Sequence, residues 1–516
     1  MQEIELKFQI PQGQLEAVRA ELARLGARLD QPLILQAAYF DTPDRKLAQA
    51  RSALRVRREG DEWVQTLKAA GSHTMLRVED NHPASAPAPG QALRPDLGRH
   101  RGGPAEAALS QALDWQPAQD PSGAHTGLIE LYRTDMARTR ATLTVGVGTP
   151  HEGVVELALD EGAILAGPLS QPVRELEIEL ISGHPQAVIE AGQDFVLRFG
   201  LWLDTQTKAH RGDRLARLAT EGRTHAAPQA TLPQPVRLPQ ERASGLTIGV
   251  AARSTLEQVL GHLTANMSEL ASCDAGTAGD VAYQWRRGLR RLRALSLLLG
   301  AHLPLPDAAL PRAAMLSRQL GHWRDQVALG WVPAYLAHLG LPAESPPVAP
   351  LPADAPDSPE ALARSATATL LCLDLLTALV SHADAKHDDA FVPWLSERLH
   401  HWHQPLHARA RRPQRLSLSA LHRLRRRARQ LRDMLDLFAP VWPGERMARY
   451  RQVLDKTVGA LGALQDNDVA RLAFRAQAEH DLVSRCAAHW LKVRQAPLRK
   501  QAQRALRRWR QVKSPW

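Results

Sequence analysis

Before residue 222, charged and apolar side chains alternate one by one along short segments: EIELKFQI, ALRVRR, EWVQTLKA, TMLRVED, ATLTVGV, VVELALD and RELEIEL. An extended chain sends alternate side chains to opposite faces, so each segment predicts a β-strand with one apolar and one charged face. GQLEAVRAELARLGARL and PQAVIEAGQDFVLRFG follow the three-to-four-residue period instead and predict helices after the first and last of these strands. Residues 83–105, rich in Pro and Gly, predict a surface excursion, and 222–243, rich in Pro, Ala and polar residues, an interdomain linker. Beyond it strand signals vanish, and Leu, Ala, Arg and His recur at helical spacing to the C-terminus. The prolines of SPPVAPLPADAPDSPE, residues 345–360, cannot sit inside helices and predict a second linker. WRRGLRRLRALSLLL on one side answers HRLRRRARQLRDMLDLF on the other, and QLGHWRDQVAL answers ALGALQDNDVA, which predicts a duplicated helical bundle with repeats 246–344 and 361–516. The expected organisation is an α+β domain over 1–221 followed by an all-α domain over 244–516.

The charged faces of the strands carry the chemistry. Glu3, Glu5 and Lys7 alternate with Ile4, Leu6 and Phe8; Arg55 and Arg57 alternate with Leu54 and Val56. Thr66 and Lys68 flank Leu67, and Arg77 and Glu79 flank Val78. Glu156 and Asp160 share a face across Ala158, and Glu175, Glu177 and Glu179 form a carboxylate row against Leu176, Ile178 and Leu180. One such strand alone reads as an edge with a solvated face. Repeated from strand to strand with charges rather than Ser, Thr or Gln, the division suggests a barrel whose apolar faces pack outward and whose charged faces converge on a lumen. Crowded carboxylates take up protons or bind hard cations, while Lys and Arg match phosphate oxygens. Together they point to a divalent metal on Glu and Asp, a chain of phosphates on Lys and Arg, and hydrolysis. Oxygen ligands favour Mg or Mn over Zn, and the GxxxxGK[ST] loop of P-loop NTPases is absent.

Composition narrows the partners without choosing one. The 516 residues carry a formal net charge of +11, which fits nucleic acid, a phosphate polymer or a membrane surface. Cys273, Cys372 and Cys486 are an odd, widely spaced set with neither metal-type nor redox-type pairing, in keeping with a reducing cytoplasm. No stretch of about 18 apolar residues occurs and the N-terminus has no signal pattern, so a protein neither secreted nor membrane-spanning is expected.

EIELK, from Glu3 to Lys7, resembles the ExExK signature of the CYTH superfamily, the triphosphate tunnel metalloenzymes, whose fold is an eight-stranded antiparallel barrel around a triphosphate site. AYFDTPDRKLAQARSALRVRREGDEWVQTLKA, RTDMARTR, VELALDEGAI, RELEIEL and TKAHRGDRL follow in the family's order, over residues 1 to about 217. The resemblance implies Glu3, Glu5, Asp160, Glu175, Glu177 and Glu179 as the set that supplies metal ligands. It implies Lys7, Arg55, Arg57, Lys68, Arg77, Arg138, Lys208 and Arg211 as phosphate contacts, with Glu3, Glu5 and Lys7 in catalytic roles. Thr207 stands where a Ser often precedes the Lys.

In the helical half Leu421, Leu424, Ala428, Leu431, Leu435 and Phe438 make an apolar stripe beside a basic face of His422, Arg425, Arg426, Arg429 and Arg432. Leu289, Leu292, Leu295 and Leu299 repeat the stripe beside Arg286, Arg287, Arg290 and Arg293. Few of these arginines have a carboxylate four residues away, which weakens the reading as an ordinary solvated face. The half resembles the CHAD family over roughly residues 246 to 510, with Asp466 and Asp468 in the C-terminal copy; in the other copy Tyr283 stands where the motif would carry its histidine, although the arginines and Asp325 remain. The resemblance implies duplicated four-helix bundles that bind inorganic polyphosphate along the basic surface.

The leading expectation is a metal-dependent triphosphatase that cleaves tripolyphosphate to pyrophosphate and phosphate, with a helical domain that binds polyphosphate. The two-domain order is similar to that of bacterial cytoplasmic inorganic triphosphatases, and association with polyphosphate granules follows from the second domain. Thiamine triphosphate or ATP is the alternative substrate, and Tyr39, Phe40 and Trp63 are the obvious aromatics that could read a base. A non-catalytic polyphosphate-binding protein is the competing class. Nucleic acid follows from charge alone and is not the expected partner.

Overall fold

The computed structural model describes residues 4–70, 77–87, 91–103, 105–238, 246–273, 278–329, 331–338, 358–381, 389–479 and 482–516. Two units emerge: residues 1–229 with 267–273 and 363–380, and residues 230–266 with 274–362 and 381–516.

The first unit is built on nine strands: β1 Glu5–Gln9, β2 Leu33–Asp41, β3 Ser52–Glu59, β4 Glu62–Ala70, β5 Arg77–Ala84, β6 Ile129–Val145, β7 Gly153–Ala166, β8 Leu169–Gly183 and β9 Trp202–Leu203. They pair in the order β5-β4-β3-β2-β6-β7-β8-β1-β9, antiparallel throughout. Among the described residues no ladder joins β5 to β9, so the sheet is an open one of nine strands where eight in a closed ring were expected. It is nevertheless curled. Lys68 on β4 acts on the carboxyl of Glu179 on β8, although five strand spacings separate them, about 24 Å in a flat sheet. The charged faces therefore turn toward one another across a tunnel-like interior. Gly162 on β7 marks one point of close approach, because a Cβ there would lie 1.9 Å from the Asp135 carbonyl oxygen on β6.

Among the described residues up to 229, the helices that accompany the sheet are α1 Leu15–Arg24, α2 Lys46–Gln49, α3 Glu106–Leu113, α4 Gln186–Phe199 and α5 Lys208–Thr220. Phe40, Leu54, Val56 and Leu67 put the outer face of β2, β3 and β4 into a core with Leu47, Leu109, Leu113 and Trp115. Asp41 ends β2 and turns the chain: its carboxylate accepts from the amides of Thr42, Leu47 and Ala48 at 2.7, 2.8 and 2.9 Å, satisfying the first donors of α2. The inner face is not charged along its whole length. Leu35, Tyr39, Tyr132, Met136, Ile164 and Val173 pack with Leu215 and Ala216, so α5 fills one end of the tunnel and leaves the other to the charges. Tyr132 lies flat on α5 only because residue 212 is glycine; a Cβ there would stand 2.2 Å from the ring.

The second unit holds most of the helical half: α6 Ile248–Ala271, α7 Gly279–Leu299, α8 Ala309–Leu329, α9 Trp331–His338, α10 Pro359–Ala363, α11 Ala366–Ser381, α12 Phe391–Arg409, α13 Leu418–Phe438, α14 Glu445–Gln477 and α15 Leu482–Arg510. Residues 267–273, which include the end of α6, and 363–380, which include most of α11, belong to the first unit. The apolar stripes read from the sequence are the buried faces of α7 and α13, from Leu289 to Leu299 and from Leu421 to Phe438. Part of the 222–243 segment is fixed to the second unit: Val236 is buried, with its amide donating to the Leu437 carbonyl at 2.8 Å. Residues 341–357, which contain most of the second Pro-rich segment, lie outside the described residues.

Candidate functional site

Register sets the rows of the tunnel. Across β1, β8 and β7, Glu5 stands opposite Glu179 and Glu179 opposite Glu156; Lys7 stands opposite Glu177; Gln9 opposite Glu175, and Glu175 opposite Asp160, which faces Arg138 on β6. Asp160, Glu175 and Glu177 bring carboxylate oxygens within 4.8 Å of one another, and all three are buried. Like charges this close would force protons onto the group unless cations intervened. Cations do intervene. Lys208 Nζ lies 2.6 Å from Asp160 Oδ2 and 3.0 Å from Glu177 Oε1, and also bonds Glu175. Arg138 donates from Nε and NH2 to Asp160 and from NH2 to Glu177, each at 2.6 Å. Lys7 Nζ is 3.1 Å from Glu177 and 3.3 Å from Glu5, and Arg211 bonds Glu175.

Protonation follows from this pairing. Burial opposes the charge on Glu177, but Lys208, Lys7 and Arg138 outweigh it and hold the carboxyl well below the usual range; Glu175 is lowered in the same way by Lys208 and Arg211. Burial would depress the Lys7 ammonium, yet Glu177 and Glu5 raise it above the ordinary lysine value. Lys208 is raised further by Glu175, Glu177 and Asp160 against the same desolvation. One row differs: burial and the neighbouring carboxylates of Glu5 and Glu156 push Glu179 up. Lys7 lies 3.3 Å from Glu5 and Arg140 3.5 Å from Glu156, so the Glu5–Glu179–Glu156 row sets three carboxylates against two ion-paired cations, an excess of negative charge centred on Glu179 that a divalent cation would relieve.

The remaining predicted phosphate contacts lie on β3 and β4. Lys68 Nζ is 2.7 Å from Glu79 and Arg55 NH2 3.7 Å from it, while Arg57 donates from Nε to Glu59 at 2.6 Å. Glu3 lies outside the described residues, as does the side chain of Arg77, whose backbone stands opposite Ala70 on β5. Lys208 and Arg211 enter the site from the first turn of α5, capped by Thr207, which accepts from the His210 amide at 3.0 Å. Glu156 and Glu79 were visible in the strand alternation but were not placed among the site residues; their cross-strand partners give them that position. Tyr39 was noticed only as an aromatic. It is buried, stacks on Tyr132 at 4.7 Å, and stands opposite Arg55, whose charge lowers the phenol's pKa against its burial.

A second cation cluster lies in the helical unit, between α7 and α13. Arg286, Arg290, Arg425 and Arg429 stand close enough to depress one another: burial first, then the neighbouring guanidiniums, bring Arg286 down to about 10 and Arg429 to about 9, and lower Arg290 and Arg425 as well. Their carboxylate contacts are sparse and long, such as Arg425 to Asp466 at 3.9 Å. The buried Nε atoms of Arg286, Arg290 and Arg425 have no hydrogen-bond partner. Arg286 lies over Gly321 of α8 and Arg425 over Gly462 of α14, so the two copies present the same arginine on the same glycine. Other members of the predicted face are engaged or peripheral. Arg287 pairs with Asp436 at 2.7 Å and Arg432 with Asp433 at 2.8 Å, while Arg293 and Arg426 are exposed. His422 Nε2 is 3.9 Å from Asp468, and burial lowers its pKa. Arg324, beside Asp325 and 3.5 Å from Asp466, joins the cluster from α8 and was not anticipated.

Comparison with known proteins divides the chain at the same place. Residues 1–212 match the CYTH domain family and residues 254–475 the CHAD domain family. An inorganic triphosphatase from Haemophilus influenzae is 31% identical over 216 residues, 41% of this chain and 54% of the relative, so the chain spans about half the length of the curated relative it matches. Among solved structures, the CHAD domain from Ricinus communis shares 21% identity, covering 57% of this chain and 98% of that one, with a TM-score of 0.43. A Hippeastrum protein described as having a dominant triphosphatase activity shares 19% identity over 43% of this chain and 97% of its own, with a TM-score of 0.26. The chain joins a CYTH domain, residues 1–212, to a CHAD domain, residues 254–475.

Proposed function

We propose that the tunnel hydrolyses tripolyphosphate to pyrophosphate and phosphate with Mg or Mn, and that the arginine cluster of the helical unit binds longer inorganic polyphosphate. The observation that carries the first part is the pairing inside the tunnel. A carboxylate row with excess negative charge, Glu5–Glu179–Glu156, stands beside a set of cations, Lys7, Arg138, Lys208 and Arg211, that neutralise Asp160, Glu175 and Glu177. A metal complex of a polyanion offers both charges at once.

Glu5, Glu156, Glu177 and Glu179 would hold the divalent cation, with Glu3, Asp160 and Glu175 as the remaining candidates. Bound there, the cation supplies Lewis-acid stabilisation of phosphoryl oxygens and a water of lowered pKa. The chain's own groups do the rest. Lys7, Arg138, Lys208 and Arg211 reach phosphate oxygens from β1, β6 and α5, and Arg55, Arg57 and Lys68 reach them from β3 and β4. Fixing the triphosphate from several walls brings the terminal phosphorus into line with the attacking oxygen, and the cations stabilise charge on the leaving pyrophosphate. Glu5, acceptor-only when ionised, can orient the water from beside Lys7. In the helical unit, the four mutually repelling arginines gain from any anion that comes between them, which suits a phosphate polymer.

No helix among the described residues is long and apolar enough to cross a membrane. The test is a substrate panel with and without divalent metal. Tripolyphosphate is expected to turn over fastest and to need Mg or Mn; much faster hydrolysis of thiamine triphosphate or ATP would sink the inorganic assignment, and no turnover at all would leave a polyphosphate-binding protein.

A further inference from the structure

The segment that carries Lys208 and Arg211 is gripped on both sides by residues far away in sequence. Before Lys208, the Thr205 amide donates to Ser268 Oγ at 2.9 Å, the two hydroxyls meet at 3.1 Å, and Gln206 Nε2 donates to Glu269 Oε2 at 2.8 Å. After Arg211, Arg214 NH1 donates to both oxygens of the same Glu269 carboxylate at 3.2 Å. The Gln229 amide completes that carboxylate at 2.9 Å, and Ser268 and Glu269 are 1% and 5% exposed. On the opposite flank the chain is fixed to β1: the Asp204 amide donates to the Lys7 carbonyl at 2.9 Å, and Gln9 donates to the Asp204 carboxylate at 3.0 Å. Leu203 is held as well, its amide donating to Thr369 Oγ1 at 3.1 Å.

We infer that Ser268 and Glu269, in the last turns of α6, are positioning residues for the tunnel reaction: by holding Thr205, Gln206 and Arg214 they set the height at which Lys208 and Arg211 enter the site. The inference rests on the triphosphatase reading. Both residues lie beyond the 1–212 stretch that matches the CYTH family, so this support comes from the helical half of the sequence. The geometry is specific to a clamp. One carboxylate spans the helical turn that carries both cations, touching it two residues before Lys208 and three after Arg211. Displacement of a substrate-holding group by about 1 Å costs on the order of 100-fold in rate. Loss of only one side of the clamp leaves the β1 and Gly212–Tyr132 contacts in place, so a smaller effect follows.

The test uses the full chain with Ser268→Ala and Glu269→Gln, the second keeping the shape of the side chain while removing its charge. Glu257→Gln, which touches the neighbouring Arg253 on the same helix, serves as the control. Each clamp variant is expected to lose about 10-fold in kcat/KM for tripolyphosphate with Mg, chiefly in kcat. Melting temperature should stay near that of the wild type, and amide hydrogen exchange over residues 204–214 should quicken. Glu257→Gln should change none of these. A purely structural role predicts the reverse pattern, a lower melting temperature with unaltered kcat/KM in the folded protein, and overturns the inference. So does wild-type exchange over 204–214 in both variants. If the wild type itself fails to cleave tripolyphosphate, the functional reading falls instead. The clamp is then decided by exchange together with calorimetric affinity for imidotriphosphate, which both variants should weaken about 10-fold if Lys208 and Arg211 have moved.

Discussion

Lys208 and Arg429 are both cations held largely away from water, and the groups around them differ in sign. Lys208 touches three carboxylates, and its pKa rises against burial; at Arg429 burial, and then the neighbouring Arg290, Arg425 and Arg286, bring the pKa down to about 9. The Asp160–Glu175–Glu177 cluster of the tunnel is therefore paired with cations at rest, whereas the α7–α13 face holds guanidiniums that an anion would relieve. A complete site exchanges internal partners for ligand and gains selectivity, because a ligand must satisfy cations and carboxylates together. An incomplete site gains affinity from any dense anion, with little selectivity for its length or end groups. The difference suits a catalytic pocket in one unit and a polymer-holding surface in the other.

The sharpest way to break the contrast is Lys208→Ala. It removes a proposed phosphate contact and leaves Asp160, Glu175 and Glu177 with fewer counter-charges, so kcat/KM for tripolyphosphate should fall about 1,000-fold, the range of a lost transition-state charge contact. Polyphosphate binding by the helical unit should be unchanged. Steady-state kinetics and calorimetry on the same preparation check both. Equal loss of the two activities would mean that one anion site serves both.

Arg425→Ala/Arg429→Ala makes the complementary cut. Affinity for long-chain polyphosphate should drop about 100-fold, and the slope of log K against log salt should become shallower by about 1.4, two contacts at roughly 0.7 each. Tripolyphosphate turnover should hold. The same substitution separates storage of repulsion from ordinary packing. Arg429→Ala alone should raise the stability of the unliganded protein by about 1 kcal/mol in denaturant melts, since it removes a desolvated guanidinium that solvent screens only in part, at the cost of its aliphatic packing. Destabilisation would show that the arginines are paired in the free protein.

These two sites were unequally legible in the sequence, for physical reasons. Glu5, Lys7, Glu175, Glu177 and Glu179 stand out because their strands have one charged and one apolar face. LILQAAYFD does not, and β2 has no place among the segments read as strands from alternation. From Ala37 to Asp41 it is buried on both faces, with Phe40 turned to one core and Leu35, Ala37 and Tyr39 to the other, and the exposed Ile34 is itself apolar, so no period of two survives. TKAHRGDRL gives no helical stripe either, because α5 turns charges inward at its start and keeps Gly212 where a larger residue would meet Tyr132. In the helical half the arginine repeat was plain, but its electrostatic state was not. Spacing along α7 and α13 cannot reveal that Arg287 and Arg432 have carboxylates while Arg286 and Arg429 face other arginines. Ser268 and Glu269 carry no sequence signal at all, since Thr205, Gln206 and Arg214, which they hold, are more than fifty residues away.

Acid should distinguish the two units in a smaller but directional way. Glu175 and Glu177 have folded pKa values below the ordinary 4.5, so their contribution to stability is complete above that value and is lost as pH falls through the lowered ones. Arg286 and Arg429 run the other way: depressed to about 10 and about 9 from 12.5, they destabilise the fold at every pH below these values and relieve it only as pH rises past them. Calorimetric melts of the metal-free protein should show the tunnel transition falling below pH 4.5 with the helical transition insensitive to Arg286 and Arg429 there. Lys208→Ala should flatten the acid limb of the first. An acid limb unchanged by that substitution would remove Lys208 from the network that holds these carboxyls ionised.

The smallest effect is expected where the two helical copies differ most. Tyr283 takes the place of His422, and aligning QLGHWRDQVAL with ALGALQDNDVA puts Val327 in the place of Asp468, so the first copy lacks the histidine and its carboxylate together. Tyr283 is half exposed, with the Arg290 guanidinium 6.0 Å from its ring centre. A histidine there would stand among Arg286 and Arg290 with no acidic partner, stay neutral at pH 7, and offer one hydrogen bond in exchange for a weak cation–π contact, terms of about 0.5–1 kcal/mol each that nearly cancel. Tyr283→His should therefore change polyphosphate affinity by less than about 3-fold at pH 7. A gain of 10-fold or more would show that the imidazole itself, and not the arginines on either side of it, supplies the binding.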